Sequence, residues 1–245
     1  MRTLHAIIPC FNEGNTLGRC VRRLFEIEWP AGWAAEVIII DDHSTDDSIE
    51  VARKLAHEYE SIELITQPRN SGKGAAVRRG MESAISRGQP MDLVVIQDAD
   101  LEYDPADLPG MIHRFETEPE TIAVFGDRFD SGRRSSAMGR LHKLVNRSLT
   151  WMSNRFTRLD LQDMECCYKM IRLDLVEQIL AELTENRFGI EPQITAAVSR
   201  HGVDPTNHVV NYTPRGFQDG KKIRIKDGFR ALYVIIKEAC RRNRR

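Results

Sequence analysis

Four short apolar runs punctuate the first hundred residues, at 4–8, 37–40, 62–65 and 93–96, and each stops at a polar, turn-forming stretch. Runs of that length, rich in Ile and Val, suit strands buried on both faces. Between them apolar residues recur at helical spacing: Leu17, Cys20, Val21, Leu24 and Phe25; then Ile49, Ala52, Leu55, Ala56 and Tyr59; then Val77, Met81, Ala84 and Ile85. A βαβαβαβ alternation of this kind demands an α/β chain with a doubly wound, mostly parallel sheet. Open parallel sheets bind ligands beyond the carboxyl ends of their strands. The residues just past each apolar run are therefore the first candidates for a site.

The fourth run carries the densest set. It is followed by Gln97-Asp98-Ala99-Asp100-Leu101-Glu102-Tyr103-Asp104-Pro105. Carboxylates converging at a strand end repel one another unless a cation lies between them. Oxygen-only ligands suit a hard divalent ion such as Mg²⁺ or Mn²⁺, which also takes oxygens from a substrate phosphate. The plainer reading is an acidic turn in which Asp104-Pro105 opens the next helix.

The second half is less regular. Helices are expected at 105–115, 141–152, 175–183 and 194–198, and strands at 122–125, 166–171 and 209–212. A strand at 166–171 would send the adjacent Cys166 and Cys167 to opposite faces. Residues 130–134 read as a polar, basic loop, and 213–222 as a second one. An amphipathic helix follows from about Lys226, with Phe229, Leu232, Tyr233 and Ile236 near one face among Lys and Arg. That pattern suits an anionic membrane surface, and equally a helix docked on the core, on a second copy of the chain or on a membrane protein. No linker divides the chain; residues 213–245 read as an extension of a unit formed by 1–212.

The formal net charge of −1 argues against a nucleic-acid-binding protein, although basic residues dominate from Arg215 onward. The five cysteines show no CxxC spacing and no disulfide framework, which suits a reducing cytoplasm. The N-terminal apolar run is too short for a signal peptide, and no run is long enough to span a bilayer. A soluble or peripheral protein is expected.

The ordered motifs IIPCFNEGNTL, VIIIDDHSTDDS, NSGKGAAVRRG and VVIQDADLEYDP resemble those of family-2 glycosyltransferases, which have the glycosyltransferase-A fold. The later pieces FGDRF, DMECCYKMIR, FGIEPQITA and YTPRGFQDGKKIRIKDGFRAL are similar to the polyprenyl-phosphate sugar synthases, the dolichyl-phosphate mannose or glucose synthase group. The resemblance implies an inverting transfer of a hexose from GDP- or UDP-hexose to a polyprenyl phosphate, on the cytoplasmic face of a membrane. It makes 1–212 the catalytic part and 213–245 the acceptor side.

It also implies roles for individual residues. Pro9, Asn12 and Glu13 would line the nucleotide pocket, with Asp42 on the base or ribose, and Asn70, Lys73, Gln97 and Asp98 would complete the nucleotide-sugar site. Asp98, Asp100 and Glu102 would hold the metal, most directly through Asp100. A phosphate acceptor is already anionic and needs positive charge rather than a general base. Arg128, Arg215, Lys221 and Lys222 would supply it, joined by Arg133 and Arg134, and a bidentate arginine suits phosphate oxygens. Asp163 stands where relatives that glycosylate a hydroxyl carry a catalytic base; here it would orient sugar hydroxyls or the acceptor loop.

Three competing readings remain. Asp163 as base would make the chain a transferase onto a saccharide hydroxyl. A non-catalytic nucleotide-sugar-binding protein would keep the pocket without turnover. Gly72-Lys73-Gly74 before a helix imitates a dinucleotide fingerprint, but Val77 replaces its third glycine and the unit is not the first βα.

Overall fold

The computed structural model describes residues 1–129, 139–215 and 225–242. Seven strands form one sheet: β1 (Arg2–Cys10), β2 (Trp33–Asp41), β3 (Ile62–Thr66), β4 (Leu93–Ile96), β5 (Ala123–Asp127), β6 (Lys169–Arg172) and β7 (Thr206–Val209). The helices are α1 (Gly14–Phe25), α2 (Ser48–Glu58), α3 (Lys73–Arg87), α4 (Leu108–Thr117), α5 (Arg140–Thr157), α6 (Leu173–Leu180), α7 (Ile190–Arg200) and α8 (Ile225–Arg242). The order across the sheet is β3-β2-β1-β4-β6-β5-β7. β1, β2, β3 and β4 are mutually parallel, with Ile7 beside both Ile38 and Ile96. β1, β2 and β4 lie inside the sheet with their apolar stretches buried, whereas β3 (Ile62-Glu63-Leu64-Ile65-Thr66) is an edge strand and mostly half-buried.

The chain reverses its direction of travel across the sheet between β1 and β4, the kind of switch point where open sheets bind ligands. β6 then inserts antiparallel between β4 and β5, and β7 runs parallel to β5. The polarity of this arrangement decides what meets at the site. The carboxyl ends of β1, β2, β4, β5 and β7 all lie along one side of the sheet, and the chain entering β6 arrives at that same side. Residues 11–13, 41–42, 98–102, 127–128, 163–168 and 210–215 are thereby gathered from the whole length of the chain.

Two expected strands differ from those found. β6 starts at Lys169 rather than Cys166, because the Lys169 ammonium turns back to donate to the Met164 and Cys166 carbonyls, at 2.8 and 2.5 Å. Cys166 and Cys167 consequently lie in the turn before the strand, both buried. β7 covers 206–209 rather than 209–212, and beyond it Tyr212 makes an isolated antiparallel bridge with Tyr103.

The glycine pair at the start of α3 is explained by packing. A Cβ on Gly72 would lie 2.4 Å from the Asn186 carbonyl oxygen, and one on Gly74 would lie 2.3 Å from that of Glu185. The turn therefore presses against the backbone leading to α7, and Gly72 also has φ +96°.

α8 buries Ala231, Val234 and Ile235 and packs against α5 and α7. Its Glu238 accepts hydrogen bonds from Gln193 (2.9 Å) and Arg200 (2.8 Å). Docking on the core is thus real, yet Phe229, Tyr233 and Ile236 stay exposed on a separate stripe. Among the described residues no helix is long and apolar enough to cross a membrane.

Candidate active site

The acidic turn after β4 is built as a set of ion pairs. Lys73, from the first turn of α3, places its ammonium 2.8 Å from Asp98 Oδ1 and 3.2 Å from Glu191 Oε1. Burial works against that charge, but Asp98 and Glu191 outweigh it and hold the lysine well above its ordinary range. Glu191 pairs in turn with the fully buried Lys169 at 2.9 Å. An alternating chain Lys169–Glu191–Lys73–Asp98 thus runs from the core to the turn.

Asp100 accepts from the Glu102 backbone N–H at 3.0 Å and lies 3.2 Å from Arg215 Nη2. Burial first, then the negative charges of Asp98 and Glu102, push its carboxyl up to about 7 despite the arginine. Arg215 also makes a two-armed contact with Glu13, 3.1 Å from each carboxylate oxygen. Glu102 accepts from the Arg215 backbone N–H and from the Tyr212 hydroxyl, both at 2.7 Å. Asn211 adds two hydrogen bonds to Asp107, each 2.6 Å. Residues 210–215 therefore form a strap fastened across the acidic turn.

Just past β5, Arg128 faces Asp163 from the chain leading to β6. Arg128 Nε and Nη2 donate to the two Asp163 oxygens at 2.5 and 2.8 Å, and the Asp163 side chain is 0% exposed. The carboxylate keeps the buried guanidinium charged, more than offsetting its loss of water.

Several expected roles change against this geometry. Asp98, Asp100 and Glu102 do not converge as a ready ligand group, and among the described residues no three acidic, Cys or His side chains do. Lys73, Arg215 and Tyr212 draw the three carboxylates to separate partners. Asp42 is held within the chain: its oxygens accept from Gln67 Nε2, Ser71 N and Gly72 N, each at 2.7 Å. Burial raises its carboxyl, and those two N–H groups oppose the rise. Gln97 is wholly buried, accepting from the Tyr168 hydroxyl at 2.5 Å, so it supports the strand end from beneath. Arg128 is turned to Asp163 rather than to an incoming phosphate, and both Asp163 oxygens are taken by Arg128.

The remaining expectations fall as follows. Asn12, at φ 52°, stitches the loop after β1 to the loop after β2 through Thr45 N (2.7 Å), and its own N–H donates to Ser44 Oγ (3.0 Å). Pro9 is half-buried at the end of β1, and Asn70 is exposed beside Asp42, whose carbonyl it reaches at 3.3 Å. Arg133, Arg134, Lys221 and Lys222 lie outside the described residues. Lys169, Glu191 and Tyr212 were not expected at the site. For Lys169 and Glu191 the signal was a charged residue inside an apolar stretch, where a charge has to find a partner.

Comparison with known proteins agrees with this architecture. Residues 5–180 match the family described as Glycosyl transferase family 2. A dodecaprenyl-phosphate galacturonate synthase of Rhizobium johnstonii is 28% identical over 179 residues, 72% of this chain and 49% of the relative. An undecaprenyl-phosphate 4-deoxy-4-formamido-L-arabinose transferase of Pseudomonas paraeruginosa is 30% identical over 197 residues, 80% of this chain and 54% of the relative. The matched region thus spans about half the length of these curated relatives. Among solved structures, glucosyl-3-phosphoglycerate synthase of Mycobacterium tuberculosis superposes with a TM-score of 0.69 at 15% identity, over 98% of this chain and 81% of that one. Its complex with Mn²⁺, uridine diphosphate and glucosyl-3-phosphoglycerate gives 0.67 at 16% identity, covering 98% and 80%. By its matched motifs and its sheet, the chain belongs to glycosyl transferase family 2 and has the glycosyltransferase-A fold.

Proposed function

We propose that this chain transfers a hexose from a nucleoside-diphosphate sugar to a polyprenyl phosphate, with inversion at the anomeric carbon and with a divalent metal ion. The observation that carries the reading is the acidic turn at the switch point, closed over by a strap that brings an arginine onto it. The curated relatives are named as prenyl-phosphate sugar transferases, which supports the acceptor class. The donor set of Asp98, Asp100 and Glu102 is of the all-oxygen kind that Mg²⁺ or Mn²⁺ takes, and an ion would have to draw the three carboxylates together from Lys73, Arg215 and Tyr212. An ion held there, chiefly by Asp100, would stabilise negative charge on the departing nucleoside diphosphate.

The rest is the work of the chain itself. Asn12 and Glu13 fix the loop after β1 beside the donor position, with Pro9 beneath it. Lys73, anchored by Glu191, fixes Asp98. The acceptor phosphate, anionic at neutral pH, attacks the anomeric carbon from the face opposite the diphosphate, so no side chain has to remove a proton. Arg215 counters the repulsion between the two anions, which is large in a partly dry site. The buried Arg128–Asp163 pair shapes the floor under Tyr212, whose ring lies 5.1 Å from the Arg128 guanidinium carbon.

That pairing also weighs against the hydroxyl-acceptor reading, since neither Asp163 oxygen is open to a sugar hydroxyl. Farnesyl phosphate, farnesyl alcohol and free sugars, each offered with a panel of UDP- and GDP-hexoses, separate the readings when products are resolved by mass. Glycosylation of the phosphate alone is expected. Transfer to the alcohol or to a sugar, but not to the phosphate, would overturn the proposal. Nucleotide binding without any turnover would favour a binding protein.

The reading also places the protein on the cytoplasmic face of a membrane, lying on it through α5 and α8. α5 exposes Leu144, Val145 and Trp151, and α8 exposes Phe229, Tyr233 and Ile236 beside Arg230 and Lys237. Each basic group close to an anionic surface adds about 1 kcal/mol. Because α8 also fills the core, point substitution is the cleaner test than truncation. Trp151→Ser with Phe229→Ser should abolish sedimentation with phosphatidylglycerol vesicles, and salt should weaken that of the wild type. Unchanged sedimentation of the variant would remove the membrane assignment.

A further inference from the structure

The chain leading into β6 carries an acid that the transfer described above does not use. Glu165 stands two residues after Asp163, in the run Asp163-Met164-Glu165-Cys166-Cys167, on the side of the sheet where the strand ends gather. It is half-buried, and its Oε1 is enclosed without a hydrogen-bond partner among the described residues. The charges it meets belong to two ion pairs, Arg128–Asp163 and Lys169–Glu191. Each pair is balanced within itself, so Glu165 is an acid in surplus. Burial pushes its carboxyl up to about 7, and Lys169 opposes that rise. An enclosed carboxyl oxygen without a partner destabilises the fold that contains it. Such a group is retained where its partner arrives from outside, as binding sites trade stability for function.

We propose that Glu165 is a specificity-determining residue, whose carboxylate accepts a hydrogen bond from a hydroxyl of the sugar being transferred. This deepens the function proposed above and rests on it. The neighbours of Glu165 fix its place. The Lys169–Glu191 pair continues through Lys73 to Asp98, in the turn that faces the donor diphosphate. The Arg128–Asp163 pair lies instead under the ring of Tyr212, in the strap on the acceptor side. An acid that meets both pairs stands between the donor end and the acceptor end, and between those ends lies the hexose. An ionised carboxyl only accepts hydrogen bonds, and a sugar ring is edged with hydroxyl donors. One hydroxyl would satisfy the oxygen that the chain leaves open, and it would bring no competing charge. A site built to bind a hydroxyl in this way rejects the sugar that lacks it far more sharply than an apolar pocket could. Glu165 therefore selects the sugar and takes no part in making or breaking the bond at the anomeric carbon.

Steady-state transfer to farnesyl phosphate by the full chain tests this, using the best donor of the UDP- and GDP-hexose panel and its monodeoxy analogues. Glu165→Met, similar in size but unable to accept, is expected to lose about 10–10²-fold in kcat/KM for the parent donor, the usual worth of a hydrogen bond to a charged group. Glu165→Gln keeps an acceptor oxygen and should lose less. One monodeoxy donor should be poor with wild type, yet no worse than its parent with Glu165→Met. The nucleoside diphosphate alone should bind all three proteins equally. Removing the surplus charge should also let Glu165→Gln melt about 2–4 °C above wild type near pH 8. That gap should close near pH 5, because a carboxyl raised by burial destabilises the fold only once it has lost its proton. Equal losses for every monodeoxy donor in wild type and Glu165→Met would overturn the contact. So would a Glu165→Gln enzyme without any turnover, the mark of a proton acceptor, or one that melts below wild type, the mark of a structural acid. Variants as active as wild type would overturn this assignment alone. A wild type that uses no hexose donor would take the function proposed above down with it, so the two failures are distinct.

Discussion

An Asp100→Asn chain should keep its fold and lose sugar transfer by about 10²–10³-fold, the usual cost of removing one group that stabilises charge in the transition state. The carboxylate stands at the end of the most central stretch of the sheet, with one oxygen on the Glu102 N–H and the other on Arg215. Its ionised form is disfavoured by burial and by two neighbouring acids, so an amide of the same shape relieves repulsion rather than adding to it. Arg215 retains Glu13 as a partner. Thermal melting should accordingly show no loss, while turnover collapses; wild-type activity should also vanish in excess chelator and return with Mg²⁺ or Mn²⁺. An Asp100→Asn enzyme running at the wild-type rate would remove this residue from the chemistry.

The largest effect on stability should come from Asp163→Ala. That change strands the Arg128 guanidinium in a site that excludes water, and breaking a buried pair from one side costs about 3–5 kcal/mol. Urea denaturation without any substrate should show the loss directly. Replacing both partners, as Arg128→Met with Asp163→Leu, should recover much of it, because two apolar side chains of similar size leave no charge behind. A residue acting only as a proton acceptor behaves otherwise, since its removal stops turnover without unfolding the chain. An Asp163→Ala protein as stable as wild type would show that the pair does not hold this part of the fold.

The first four strands and three helices were legible because their signals are local. A run such as Val37–Ile38–Ile39–Ile40 between helical patterns has one reading, and the parallel pairing follows from the connections. The antiparallel entry of β6 had no such signal. Its start is marked by a lysine reaching three to five residues back, and its paired residues lie 44 to 48 positions away on β5 and 75 to 79 on β4. The candidate site was legible as an inventory rather than as an arrangement. Asp98, Asp100, Glu13, Arg128, Asp163 and Arg215 were all singled out, and the structure brings them to one side of the sheet. Which acid meets which base is decided across 202 residues for Glu13 with Arg215 and 35 for Arg128 with Asp163. No pattern in the sequence carries pairings at such range. Gln97 was assigned an outward role for the same reason, its inward partner Tyr168 lying 71 residues away.

The strap has a consequence for when the protein can begin to work. Glu102 leaves the ribosome 113 residues before Arg215, its partner in the closed turn. At about 5–20 residues per second, that interval is on the order of ten seconds. Throughout it, β1 to β4 can pair with their near neighbours in sequence while the acids at their tips stand without a lid. The acids of the turn are thus in place well before the segment that fastens across them.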